Sequence, residues 1–194
     1  LQGLKMRIPG LGGEVFQKAG GTAVNIPGGE IYTSLQTGTI DATEWVSPYN
    51  DLAFGLHQVA KYYYYPGWQE PGPTLEIIVN AEAMKSLPKD LQEIVRVASR
   101  AMNDDMLAEF TTRNNAALEE LVNKHHVQLR RLPEDVLAKL KAISAEVVEG
   151  IAQDDELAQR IYQSYDRYRT QVMSYHEISE RAYINARAAE PLAQ

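Results

Sequence analysis

Apolar and polar residues alternate through the opening "LKMRI", which predicts a strand over 4 to 8, closed by Pro9 and Gly10. The pattern then predicts a helix beginning near Glu14 ("EVFQKAG"), a short strand over 23 to 26, and a helix from about Gly29 ("GEIYTSLQTG"). A further helix is expected from about Pro48 to Ala60. "KYYYYPG" and "PTLEIIVN" are rich in aromatic and β-branched residues around a Pro and Gly loop, and both predict strands. Beyond them the spacing becomes helical. "SLPKDLQEIV" and "RLPEDVLAKL" each place a proline in a first turn followed by an acid that suits the helix dipole. Helices are expected over about 88 to 126, 134 to 150 and 154 to 189. In the last of these, Ile161, Tyr165, Tyr168, Val172 and Tyr175 fall at spacings of four and three, continuing through Ser179 to Ala182 and Ala186. At 1.5 Å per residue such a helix would be about 50 Å long, and part of its apolar stripe would need another surface to cover it.

Glycine marks the same division. Nine of the 13 glycines lie in the first forty residues and none lies between Pro73 and Gly150, so short strands and tight loops give way to long helices. With 44% hydrophobic and 23% charged residues, the 194-residue chain has the balance of a globular protein. Its net charge of −7 argues against nucleic acid or an anionic membrane surface as partner, since both reward clustered Lys and Arg. The absence of cysteine excludes disulfides, thiolate nucleophiles and Cys-based zinc sites. No apolar run approaches the ~20 residues of a membrane helix. The start, with neither leader nor capping signal ahead of a strand, suggests that the N-terminus lies elsewhere.

Four features could carry chemistry. "GLGGEVF" could cradle a phosphate, but Val15 stands where a dinucleotide fingerprint needs its third glycine, so a tight strand-to-helix turn explains the glycines better. His125 and His126 adjoin and point about 100° apart on a helix, a poor geometry for one metal. Arg7 sits in an apolar strand before a glycine-rich turn, where its guanidinium could fork onto a carboxylate or lie on the polar face of an edge strand. Glu44 beside Trp45, and Glu70 in "YYYYPGWQEPGP", could be the two carboxylates of a glycosidase, hard ligands for a cation, or unrelated surface acids.

A resemblance bears on these alternatives. "LQGLKMRIP" and "IYTSLQTGTIDATEWVSPYNDLAFGLHQVAKYYYYPGWQEPG" resemble the DctP-type solute-binding proteins of tripartite ATP-independent periplasmic (TRAP) transporters, and most closely their branch for 2-oxo and 2-hydroxy monocarboxylates. The resemblance spans the chain and implies an α/β, two-lobed periplasmic-binding-protein-like fold, helix-rich and with a long C-terminal helix, of which this chain is the C-terminal part. On that reading 1–45 belong to ligand-binding lobe II, 46–153 are hinge-crossing strands and helices that complete the lobes, and 154–194 are the terminal helix and tail. Most of lobe I is absent. The resemblance makes Arg7 the clamp on the ligand carboxylate and sets Trp45 in the cleft. It makes Glu44, the Trp45 carbonyl, Gln69 and Glu70 neighbours of a sodium or calcium ion. It also implies a periplasmic, non-enzymatic capture protein that delivers a small carboxylate to membrane permease subunits, and a homodimer built on the C-terminal helix. A helical interaction module, or a hydrolase using Glu44 and Glu70, are the alternatives.

Overall fold

The computed structural model describes residues 1–72 and 75–188. Contacts divide the chain into two compact units, 1–143 and 144–194. The first opens on a parallel sheet of β1 (Lys5–Arg7), β2 (Thr22–Val24) and β3 (Ala42–Thr43) in the order β2-β1-β3. Met6 pairs with Ala23 on one side and Ala42 on the other, so β1 is central. Helix α1 (Gly10–Lys18) connects β1 to β2, and a 3-10 turn (Gly28–Glu30) leads into α2 (Ile31–Gln36) before β3. Parallel strands need such crossovers, and the crossovers bury the sheet. Ile8, Val15, Phe16, Ile31 and Ile40 are all at most 3% exposed and form this core.

Two helix boundaries in this part differ from the sequence pattern, and the short β3 was not anticipated. Helix α1 starts at Gly10 instead of near Glu14, because Gly10 takes φ +60 and turns the chain directly from strand to helix. The helix expected to reach Ala60 ends as α3 (Pro48–Ala53), since Gly55 at φ +72 closes it and a 3-10 turn (Leu56–Gln58) follows.

The tyrosine run forms β4 (Tyr62–Tyr65), paired in parallel with β5 (Gln128–Arg131), a strand that its charged sequence concealed. "LEIIVN" is not a strand. Residues 75–80 have no neighbouring strand among the described residues, Ile78 is 83% exposed, and Pro73 and Thr74 lie outside the described residues. Without a partner for its N–H and C=O groups, even a β-rich segment forms no ladder.

Helix α4 (Ala81–Ser86), capped by the Asn80 side chain on the Ala83 amide (3.0 Å), precedes the unbroken α5 (Lys89–Asn123). The C-terminal third of α5 buries Ala117 and Leu121 and packs on α3, where Tyr49 meets Phe110 edge-on at 5.8 Å. The Tyr49 amide donates to Asn114 Oδ1 over 2.9 Å. Helix α6 (Glu134–Ala152) begins in this unit and ends in the second.

Within the second unit, the long helix expected to 189 divides into α7 (Glu156–Ile178) and α8 (Glu180–Ala188). The break is at Ser179 (φ −109, ψ −113), whose hydroxyl bonds the Tyr175 carbonyl and the Glu180 carboxylate. A serine that turns back on its own turn competes with the helix ladder. Residues 189–194 lie outside the described residues.

Candidate functional site

The strand order places a topological switch beside β1. The connection from β1 runs to β2 on one side, and the next connection returns to β3 on the other, so the two diverge at the carboxyl ends of β1 and β3, where open α/β sheets place their ligands. Arg7 ends β1 and Glu44 follows β3, so their side chains meet at this switch point. The Glu44 amide donates to the Arg7 carbonyl (3.2 Å), which fixes both backbones. Arg7 Nη1 donates to Glu44 Oε1, with the two side chains only 11% and 13% exposed. Nε donates to the Ile26 carbonyl (3.3 Å) from the loop after β2. Arg7 Nη2 has no partner among the described residues.

Trp45 completes one wall. The Arg7 guanidinium lies 5.6 Å from its ring centroid, a cation–π contact, and Phe54 packs on it with centroids 5.1 Å apart. Gly28 permits this placement: a β-carbon there would lie 2.7 Å from Trp45 Cη2.

Gln69 and Glu70 arrive in the loop after β4. The Gln69 side chain approaches the start of α1, 3.5 Å from where a Gly12 β-carbon would stand. Glu70 is exposed but acts on Glu44 through its charge. Burial pushes the Glu44 carboxyl up; Arg7 opposes this, while Glu70 and Asp51 add to it. A buried carboxylate with acidic neighbours favours an arriving positive charge. The available donors are the Glu44 and Glu70 carboxylates, the Gln69 amide and nearby carbonyls, all hard oxygens of the type that sodium and calcium accept. Among the described residues no three His, Asp or Glu side chains converge on one point, so a cation here would need main-chain, amide or ligand oxygens as well.

Two contributors escaped the sequence reading. Asp51, in the first turn of α3, is 7% exposed and accepts from the Tyr63 hydroxyl of β4. Burial raises its pKa to about 6, against the stabilising Tyr63 hydroxyl and the Ser47 and Val46 main chain. In sequence it resembles an ordinary dipole acid of a helix start. His125 also pairs in an unanticipated way, its ring stacked on His57 at 3.9 Å with Glu120 3.4 Å from Nε2.

Comparison with known families decides what kind of protein this is. Residues 1–184 match the model of the DctP family, bacterial extracellular solute-binding protein family 7. The chain belongs to that family.

A curated DctP relative, the monocarboxylate 2-oxoacid-binding periplasmic protein of Nostoc sp. PCC 7120, is 40% identical over 185 residues, 95% of this chain and 50% of the relative. Among solved structures, a TRAP periplasmic solute-binding protein from Pseudoalteromonas atlantica T6c, with bound sodium and pyruvate, is 40% identical. It superposes with a TM-score of 0.88 over 95% of this chain and 56% of its own. One from Colwellia psychrerythraea, with bound calcium and pyruvate, is 42% identical, with a TM-score of 0.89 and the same coverages. A third, from Bordetella bronchiseptica RB50, is a mixed-occupancy dimer with calcium and picolinate in one site; it is 33% identical, with a TM-score of 0.90 over 97% of this chain and 58% of its own. The chain therefore spans about half the length of the relatives it matches, with the helix-rich α/β fold of TRAP solute-binding proteins. The family is one of transport proteins and not an enzyme class.

Proposed function

We propose that this chain supplies the carboxylate- and cation-binding part of a periplasmic TRAP solute-binding protein, which captures a small 2-oxo monocarboxylate such as pyruvate and passes it unchanged to membrane permease subunits. The observation that carries the reading is the Arg7–Glu44 pair, walled by Trp45, at the switch point of a parallel sheet. A guanidinium fixed by Ile26 and Glu44 offers Nη2 to a cargo carboxylate and needs little reordering to do so. Trp45 excludes water from one side. Glu44, the Trp45 carbonyl, Gln69 and Glu70 hold the cation, sodium or calcium. When bound, the ion offsets two acids that would otherwise repel an anionic cargo. Two of the relatives hold a cation and pyruvate together, which supports this pairing.

The reading extends to assembly. Along α7, Ile161, Tyr165, Tyr168 and Tyr175 are 56 to 69% exposed and lie on one stripe, and we assign this stripe to a homodimer. The Bordetella relative is a dimer, which supports the assignment.

Calorimetric titration of the complete protein with pyruvate, in sodium, in calcium and in a buffer stripped of both, tests the proposal. Binding that needs one of the ions and returns pyruvate unchanged is the expected result. Turnover of pyruvate, or no binding in either ion, overturns it.

A further inference from the structure

The mechanism above leaves one buried acid unused. Asp51 is 7% exposed, its Oδ2 accepts from the Tyr63 hydroxyl, and its Oδ1 is buried without a hydrogen-bonding partner. A carboxylate is costly to bury, so its retention calls for a structural return. Its position shows what that return is. Asp51 lies in the first turn of α3, its amide donates to the Ser47 carbonyl (2.9 Å), and its charge is favoured by the Val46 and Ser47 main chain. Those two residues directly follow Glu44 and Trp45. Tyr63 lies in β4, which runs into the loop carrying Gln69 and Glu70. The two acid-bearing segments are thus far apart in sequence but share one buried junction.

We propose that the Asp51–Tyr63 pair is a positioning strap: it ties β4 to the segment after β3 and so sets the spacing between Glu44–Trp45 and Gln69–Glu70. The inference rests on the carboxylate-binding reading for its purpose but not for its geometry. Asp51 touches neither cargo nor cation. It acts through the main chain of Val46 and Ser47, whereas Tyr63 acts through the strand that precedes the loop. A carboxylate suits the junction because Oδ2 accepts from the Tyr63 hydroxyl while the Ser47 and Val46 main chain favours its charge. An asparagine would turn an NH2 donor toward one of them.

The test is read first in the ligand-free complete protein, with Trp68 and every tryptophan outside residues 1–194 replaced by phenylalanine so that Trp45 alone emits. Tyr63→Phe and Asp51→Asn should each make Trp45 emission more accessible to acrylamide, with the helical circular dichroism retained. Unchanged quenching in both variants overturns the strap. In the Trp68-containing protein, each variant should then lower pyruvate affinity roughly tenfold, the factor for losing about one charged hydrogen bond. A loosened Trp45 with undiminished pyruvate affinity also overturns it. Should the parent fail to bind pyruvate in either ion, the carboxylate reading falls by itself, and the quenching result still decides the strap.

Discussion

At the scale of the residue, the distinction between arginine and lysine is sharp at position 7. Nη1 and Nε are committed to Glu44 and Ile26, so on the proposed reading Nη2 is the donor left for the cargo. A lysine ammonium keeps the charge but cannot serve all three partners. Arg7→Lys should weaken pyruvate binding by roughly 1.5 to 3 kcal/mol, as read by calorimetry. Asp51 leads to a prediction about stability. Its pKa of about 6 exceeds the ordinary 3.8, so between these values the folded chain holds a proton that the unfolded chain has released. Stability therefore falls as pH rises through that window, by about 3 kcal/mol in total for this group. Urea denaturation at pH 4 and pH 7 should show this slope, and Asp51→Asn should flatten it. Arg7 and Glu44 were legible as candidates because a cation in an apolar strand and an acid beside a tryptophan both break their local pattern. Asp51 breaks none. An acid three residues into a helix is what a helix dipole asks for, and only the tertiary contact with Tyr63 gives it a second task.

Among the elements, the order of strands and helices from β1 to α2 followed from the sequence pattern, the two-residue β3 was not anticipated, and the misplaced helix boundaries fall where one residue's backbone state decides. Gly10 and Gly55 carry positive φ, and each moved a helix boundary. Residues 75–80 have strand propensity but no strand neighbour among the described residues, and β5 is a strand in spite of "QLRR" because β4 offers it a ladder. The loop before α2 shows how a small residue serves an element at a distance. Gly28 has an ordinary negative φ, so alanine would fit its backbone, but the added methyl would strike the Trp45 ring at 2.7 Å. Gly28→Ala should leave the thermal midpoint nearly unchanged while shifting Trp45 fluorescence and reducing pyruvate affinity. A parallel loss of stability and binding would show instead that the glycine serves the fold.

For the molecule as a whole, the apolar stripe foreseen on the last helix is present, but Ser179 interrupts its continuation toward Ala182 and Ala186. The surface left for the proposed homodimer is then the 23 residues of α7, about 35 Å long. Introducing charge there, with Ile161→Glu and Tyr168→Glu together, should give monomers by light scattering at concentrations where the parent is dimeric. The same mass for both proteins would remove α7 from the interface. The Arg7–Glu44 pair, finally, has a bearing on unloading. The guanidinium holds an anion that belongs to the protein. On the proposed reading a visiting carboxylate takes Nη2 while Glu44 keeps Nη1, so the visitor gains only the part of the guanidinium charge that Glu44 leaves uncompensated. Sharing the charge in this way would cap affinity and quicken departure, properties that suit a shuttle more than a store.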